Sequence, residues 1–231
     1  MKHAVIVAHG QPSDPAPAEA ALAQFAEGID AISKEVSVHS ATLAAPGALE
    51  TCLDRLQEGA AIYPLFMAKG WFVTSALPRR VGDRNIQILD PLGVDPMLPA
   101  LVAGALKNVL ADQGWHAGET DLVLAAHGSG RSSNPAEVTA EFARNLSQFI
   151  QFKSQRLGFV EQPPSISEAA ENTDEKAICL PYFACTGGHV LEDVPQELAK
   201  AGFTGHVMSV VGELPGIQQH IASVLRTALA D

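Results

Sequence analysis

The chain has 231 residues, 47% hydrophobic and 18% charged, which is enough apolar material for one large domain or two smaller ones with real cores. A formal net charge of −11 argues against nucleic acid as a partner, since a phosphate-binding surface would need clustered Lys and Arg. No apolar run approaches the roughly 20 residues of a membrane span, and the opening MKHAVIVAHG has no cleavable signal layout, so a cytoplasmic protein without a membrane partner is expected.

In chain order, HAVIVA (3–8), VSVHSATL (36–43), AAIYPLF (60–66) and IQIL (86–89) read as short buried strands. Helical patterns separate them, one over 16–34 with Leu22, Phe25, Ile29 and Ile32 on one face, another over 95–111. Such alternation predicts an α/β fold with a parallel sheet covered on both faces. From Asp121 the order repeats: DLVLAAHGSG, a helix over 135–152, RLGFVE, a short helix, KAICLPYF, a further helix, GHVMSVVG and a terminal helix. The stretch SEAAENTDEK (167–176) reads as a solvated surface helix and loop. Cys52, Cys179 and Cys185 are odd in number and form no CxxC, so they read as small core hydrophobes.

The second half is an internal duplication of the first. The text AHG recurs at His9 and His127, 118 residues apart. YPLFMAKGWFVTSALP recurs as LPYFACTGGHVLEDVP with Pro64, Phe66, Gly70 and Pro78 each 117 before its counterpart, and Pro46 matches Pro164. Two similar lobes are therefore expected, 1–115 and 116–231, each a four-stranded parallel sheet flanked by helices, joined by DQGWHAGET. Ligands of such sheets bind beyond the C-terminal strand ends, which points to a cleft between the lobes.

At those ends the repeats diverge. The second lobe gathers His127, Glu161 and His189, and these registers oppose to them His9, Leu43 and Phe72 of the first. Imidazole and carboxylate serve both transition-metal binding and proton transfer, so the triad is compatible with either. A turn-capping histidine and a solvated strand-end glutamate are the bland alternatives. AHGSGR is not a nucleophile elbow, since His127 and Arg131 occupy the glycine places; Gly128, Ser129 and Gly130 remain compatible with a phosphate cradle. In TGGHVLEDVP, Gly187 and Gly188 leave no side chain between backbone and ligand and suit the unusual dihedrals of an abrupt strand-to-helix turn, with Gly187, like Gly70, expected to serve the turn and Gly188 the site.

With AHGSG, GFVEQPPSI and LPYFACTGGHVLEDVP in this order, the chain resembles the sirohydrochlorin chelatases, the cobalt- and iron-inserting class II chelatases to which ferrochelatase is distantly related. The most specific part is the pattern met by Pro181, Phe183, Gly187, His189, Asp193 and Pro195. The resemblance implies a lyase that inserts a divalent metal into a tetrapyrrole of siroheme or cobalamin biosynthesis without ATP. His127, Glu161 and His189 would be both catalytic and metal-binding. Ser129, Arg131 and Gly188, with His9, Leu43, Trp71 and Phe72 from the first lobe, would contact the substrate, and Lys69, Arg79 and Arg80 would line its rim. The metal, Co2+, Fe2+ or Ni2+, would be a substrate, with no cofactor permanently bound. A monomer would contain the complete cleft, and a homodimer is compatible with it. A non-catalytic tetrapyrrole or metal carrier and a metal-dependent hydrolase are the competing functions.

Overall fold

The structure, a computed structural model, describes residues 1–56 and 58–230. The first sheet comprises β1 (Lys2–Ala8), β2 (Val36–Thr42), β3 (Ala60–Pro64) and β4 (Ile86–Ile88), with helices α1 (Pro15–Ile32), α2 (Ala48–Leu53) and α3 (Leu77–Val81) between them and α4 (Leu98–Gln113) after them. The second comprises β5 (Asp121–Ala126), β6 (Ser154–Phe159), β7 (Ala177–Tyr182) and β8 (His206–Val207), with α5 (Asn134–Leu146), α6 (Ile166–Ala170), α7 (Val194–Lys200) and finally α8 (Ile217–Ala228). All pairings are parallel, and the orders β2-β1-β3-β4 and β6-β5-β7-β8 are the same. The duplication read from the text is thus a duplication of fold.

The central strands read as unbroken apolar runs because both their faces are covered. Every residue of β3, β5 and β7 is buried, as are Ala4 to Ala8 of β1. One core cluster joins Val5, Val7, Ala41 and Ile62 to Leu49, Leu53, Leu77 and Val81. Its counterpart joins Val123, Ala125 and Cys179 to Ile166, Ala169, Val194 and Leu198. Burial pushes the Cys179 thiol up to about 12, as expected of a core hydrophobe rather than a nucleophile. The single polar start to a central strand, Asp121, is 1% exposed. It accepts from Ser154 Oγ at 2.5 Å and Lys153 Nζ at 3.2 Å, which satisfies a carboxylate otherwise costly to bury.

Several expectations are corrected. The buried stripe of α1 runs through Leu22, Ala26 and Ile29, while Ile32 is 41% exposed. The stretch 167–176 is not a wholly solvated helix: α6 carries a Ser165–Glu168 capping box and buries Ile166, Ser167, Ala169 and Ala170, leaving Glu168 and the loop after it as charged surface. The last strand is just two residues long. Beyond it the chain presses so closely on the end of β7 that a Cβ on Gly212 would lie 1.8 Å from the Ala184 oxygen.

The chain divides into two compact units, 1–92 with 216–231, and 93–215. This differs from a contiguous split at 115/116. Helix α4 follows the first sheet in sequence but belongs to the second unit, beside α5; α8 follows the second sheet but belongs to the first, beside α1. There Gln218 Nε2 donates to the Phe25 carbonyl at 3.2 Å. An amphipathic helix advertises a buried face without saying which sheet it covers. No described helix is long and apolar enough to cross a membrane.

Candidate metal centre

Three loops at the C-terminal ends of β5, β6 and β7 build the site. The ladder runs on past β5 and β6, with Val160 N–H donating to Ala126 O and Glu161 N–H to His127 O, both at 3.0 Å, so His127 and Glu161 are held by backbone rather than by chance of loop conformation. Gly128 turns the chain at φ +67°, where a Cβ would meet Gln162 Cγ at 2.8 Å and Phe159 Cβ at 2.9 Å. Gln162 then accepts from Ser129 N–H at 2.8 Å, and Ser129 Oγ accepts from Arg131 N–H at 3.1 Å. Gln162, which no sequence reading singled out, therefore ties the histidine loop to the glutamate loop.

After β7, His189 opens a π turn, His189–Asp193, closed by Val194 N–H on His189 O. The next residue, Pro195, has no N–H to continue an α-helical ladder, which accounts for the wide turn at this point. The turn brings His189 edge-on to His127, ring centroids 4.6 Å apart at 90°. One ligand atom each from His127, Glu161 and His189 lies within 4.8 Å of the others, and His127 Nδ1 is 3.8 Å from Glu161 Oε2. His127 Nδ1 donates to Gly128 O at 3.0 Å, and His189 Nδ1 to Asp193 Oδ2 at 2.6 Å. In each neutral ring this leaves Nε2 with its lone pair. A cation about 2.0–2.2 Å from each ligand needs them no more than roughly 4.4 Å apart. The three side chains thus come together at a separation slightly above that limit, an open cluster within reach of one cation rather than a closed cage.

The equivalent place in the first unit has the same scaffold and different chemistry. His9 Nδ1 donates to Gly10 O at 2.9 Å, and Phe72 opens the matching π turn, Phe72–Ala76, closed by Leu77 N–H on Phe72 O before Pro78. Phe72 packs on His9 at 4.4 Å and on Trp71 at 5.3 Å. The hydrogen bonds also correct the register drawn from the text. Ala44 N–H donates to His9 O and Leu43 N–H to Ala8 O, both at 2.9 Å, so Ala44 is the counterpart of Glu161 and Leu43 that of Val160. Leu43 and Val160 both pack against their core clusters, and a one-residue shift along a strand moves a side chain to the other face. Leu43, half-buried, therefore packs against the first core cluster and does not occupy the place that corresponds to Glu161.

Two further expectations change. Gly187 and Gly188 are not at positive φ; Gly188 is α-helical (φ −51°, ψ −49°), and Trp71 holds nearly the same backbone (φ −53°, ψ −36°) at the matching position. A Cβ on either glycine would meet nothing within 4 Å, so the pair leaves space open rather than permitting a strained turn. Arg80 is committed elsewhere: its guanidinium pairs with both Glu50 oxygens at 2.6 and 2.7 Å and donates to Leu43 O at 2.8 Å, holding the Glu50 carboxyl below its ordinary range. Lys69 pairs with Asp90 at 2.5 Å. Arg79, Arg131 and Trp71 are exposed, Trp71 by 60%.

The CbiX family model matches residues 3–109 and again 121–231. The chain belongs to the CbiX family. Its two CbiX repeats are the two sheets described above. The chain is 43% identical to a CbiX described as the terminal enzyme for biosynthesis of siroheme in denitrifying bacteria, with TM-score 0.89 over 99% of this chain and 100% of that one. SirB from Bacillus subtilis with Fe3+ shares the fold at 19% identity, TM-score 0.76, over 100% of this chain and 96% of the other. So does a SirB sirohydrochlorin chelatase from Bacillus subtilis subspecies spizizenii in complex with cobalt, at 19% identity and TM-score 0.69, over 99% and 96%. No curated protein matches.

Proposed function

We propose that the protein is a sirohydrochlorin chelatase that inserts Co2+ or Fe2+ into the macrocycle without ATP. The observation that carries this reading is the open cluster of His127, Glu161 and His189 in a chain of the CbiX family. The relatives' reported siroheme role and their iron- and cobalt-containing structures agree with it.

Insertion replaces two pyrrole N–H protons by one divalent cation, so the protein must both present the cation and accept protons. His127, whose Nδ1–H is held by Gly128 O, offers Nε2 as the proton acceptor. His189 and Glu161 hold the cation on its way, with the carboxylate offsetting part of its charge. The Glu161 side chain is 48% exposed, which gives released protons a path to water. One imidazole and one carboxylate, with His127 left to take the proton and no thiolate present, bind a borderline cation less firmly than a closed four-ligand site would, and a transit site must release its cargo.

The test is the absorbance change of sirohydrochlorin on metallation, followed with Co2+ and with Fe2+ at substoichiometric protein. An enzyme accelerates many turnovers of the change. A carrier yields at most one bound equivalent and leaves the spontaneous rate as it was, and that result would refute the proposal.

A further inference from the structure

We infer that Asp193 is a positioning residue for His189, fixing the ring so that Nε2 is the nitrogen offered to the incoming divalent cation; this rests on the metal-insertion reading above. The contact is a charge-assisted hydrogen bond, His189 Nδ1–H to Asp193 Oδ2 at 2.6 Å. An ionised carboxylate can only accept, so the proton is on Nδ1. A free neutral imidazole side chain favours the proton on Nε2, which would block that nitrogen for a metal. A carboxylate at Nδ1 reverses the preference and strengthens the ligand.

One observation separates this role from a structural one: the chain contains its own control. The π turn of the first unit closes with the same backbone bond, Leu77 N–H to Phe72 O, and there Ala76 stands in the place of Asp193 as Phe72 stands in that of His189. The turn forms without the carboxylate, and the carboxylate is found only where the histidine is. His9 and His127, by contrast, both keep a backbone carbonyl on Nδ1, so that support is common to the two units and carries no such correlation.

The experiment uses the full-length protein and Co2+ alone as the probe. Asp193→Ala, the residue its own counterpart carries, is expected to leave the thermal midpoint unchanged and to weaken Co2+ binding about 10- to 100-fold. Nitrogen NMR should show the His189 proton moving toward Nε2. Asp193→Glu restores part of the affinity, and Asp193→Asn, which keeps an acceptor without its charge, falls between. Adding Asp193→Ala to His189→Ala should cost nothing further. Parent-like affinity in Asp193→Ala alongside lost affinity in His189→Ala overturns the inference and leaves the metal-insertion reading standing. Parent-like affinity in both overturns both.

Discussion

His9 and Phe72 meet edge to face with ring centroids 4.4 Å apart, the contact that His127 and His189 make at 4.6 Å in the other unit. One geometry thus carries a pair of imidazoles in one sheet and a single imidazole against a phenyl ring in its repeat. An aromatic ring of either kind fills the position, so what distinguishes the two sites is chemistry rather than packing.

The first consequence is an asymmetric response to the same substitution. His127→Ala should lower the rate of metal insertion by roughly 10²- to 10⁴-fold, the range for loss of a general acid or base, whereas His9→Ala should cost far less. Steady-state rates of the two folded variants decide the matter; equal damage would mean that the active unit has been misassigned.

Exchange at the π turn separates binding from turnover. His189→Phe copies the first unit and should keep the thermal midpoint while largely abolishing metal insertion, with tetrapyrrole affinity within about tenfold, or about 1.4 kcal/mol. Gly188→Trp, also copied from the first unit, should fold equally well because a Cβ there meets nothing, but should fill the space beside His189 and weaken tetrapyrrole binding. Calorimetry on both variants checks fold and affinity together.

The hydrogen-bond register makes a distinction at neighbouring residues. Leu43→Glu places a carboxylate against the first core cluster and should destabilise by about 1–3 kcal/mol, whereas Ala44→Glu should be close to neutral. Ala44→Glu combined with Phe72→His and Ala76→Asp reproduces the second site in the first and should add a further Co2+-binding equivalent. Urea midpoints and Co2+ titrations provide the readouts.

Acid sensitivity is expected at Asp121. Burial pushes its carboxyl up, but the Ser154 hydroxyl, the Lys153 ammonium and the Asp174 amide together outweigh burial and leave it lowered. A carboxyl lowered on folding contributes stability that is present above its unfolded value near 3.9 and is lost as pH falls through the still lower folded value. Asp121→Asn should therefore be less stable than the parent at neutral pH, and the difference should shrink below about pH 4. Denaturant midpoints across that range would expose the opposite slope if the assignment of sign were mistaken.

The parallel sheets and the duplication were legible because strands covered on both faces leave apolar runs and because paired Pro and Gly residues anchor the repeat. His127, Glu161 and His189 could be collected at strand ends for the same reason. The one-residue error at Leu43 has a definite origin: the AHG texts and the Pro46–Pro164 pair are 118 apart, while the residues after β2 and β6 correspond at 117, and only backbone hydrogen bonds reveal the slip. Asp193 stood in the recognised pattern, four residues after a histidine on a helical turn, but a role for it needed the 2.6 Å contact. The destination of α4 and α8 was not legible, since it depends on which apolar surface each helix meets in three dimensions.

That exchange of helices sets an order of events during synthesis. Residues 93–215 form an uninterrupted segment, so the unit that carries His127, Glu161 and His189 has all its parts as soon as that segment has left the ribosome. The first unit, although its sheet is made earlier, lacks the helix that covers part of it until residues 216–231 emerge. Until then the apolar surface beside α1 waits for a partner at the far end of the chain, a contact of high sequence separation and correspondingly slow to form. A nascent chain arrested just before α8 would carry a finished second unit tethered to an unfinished first one, with the older half the more vulnerable to proteases.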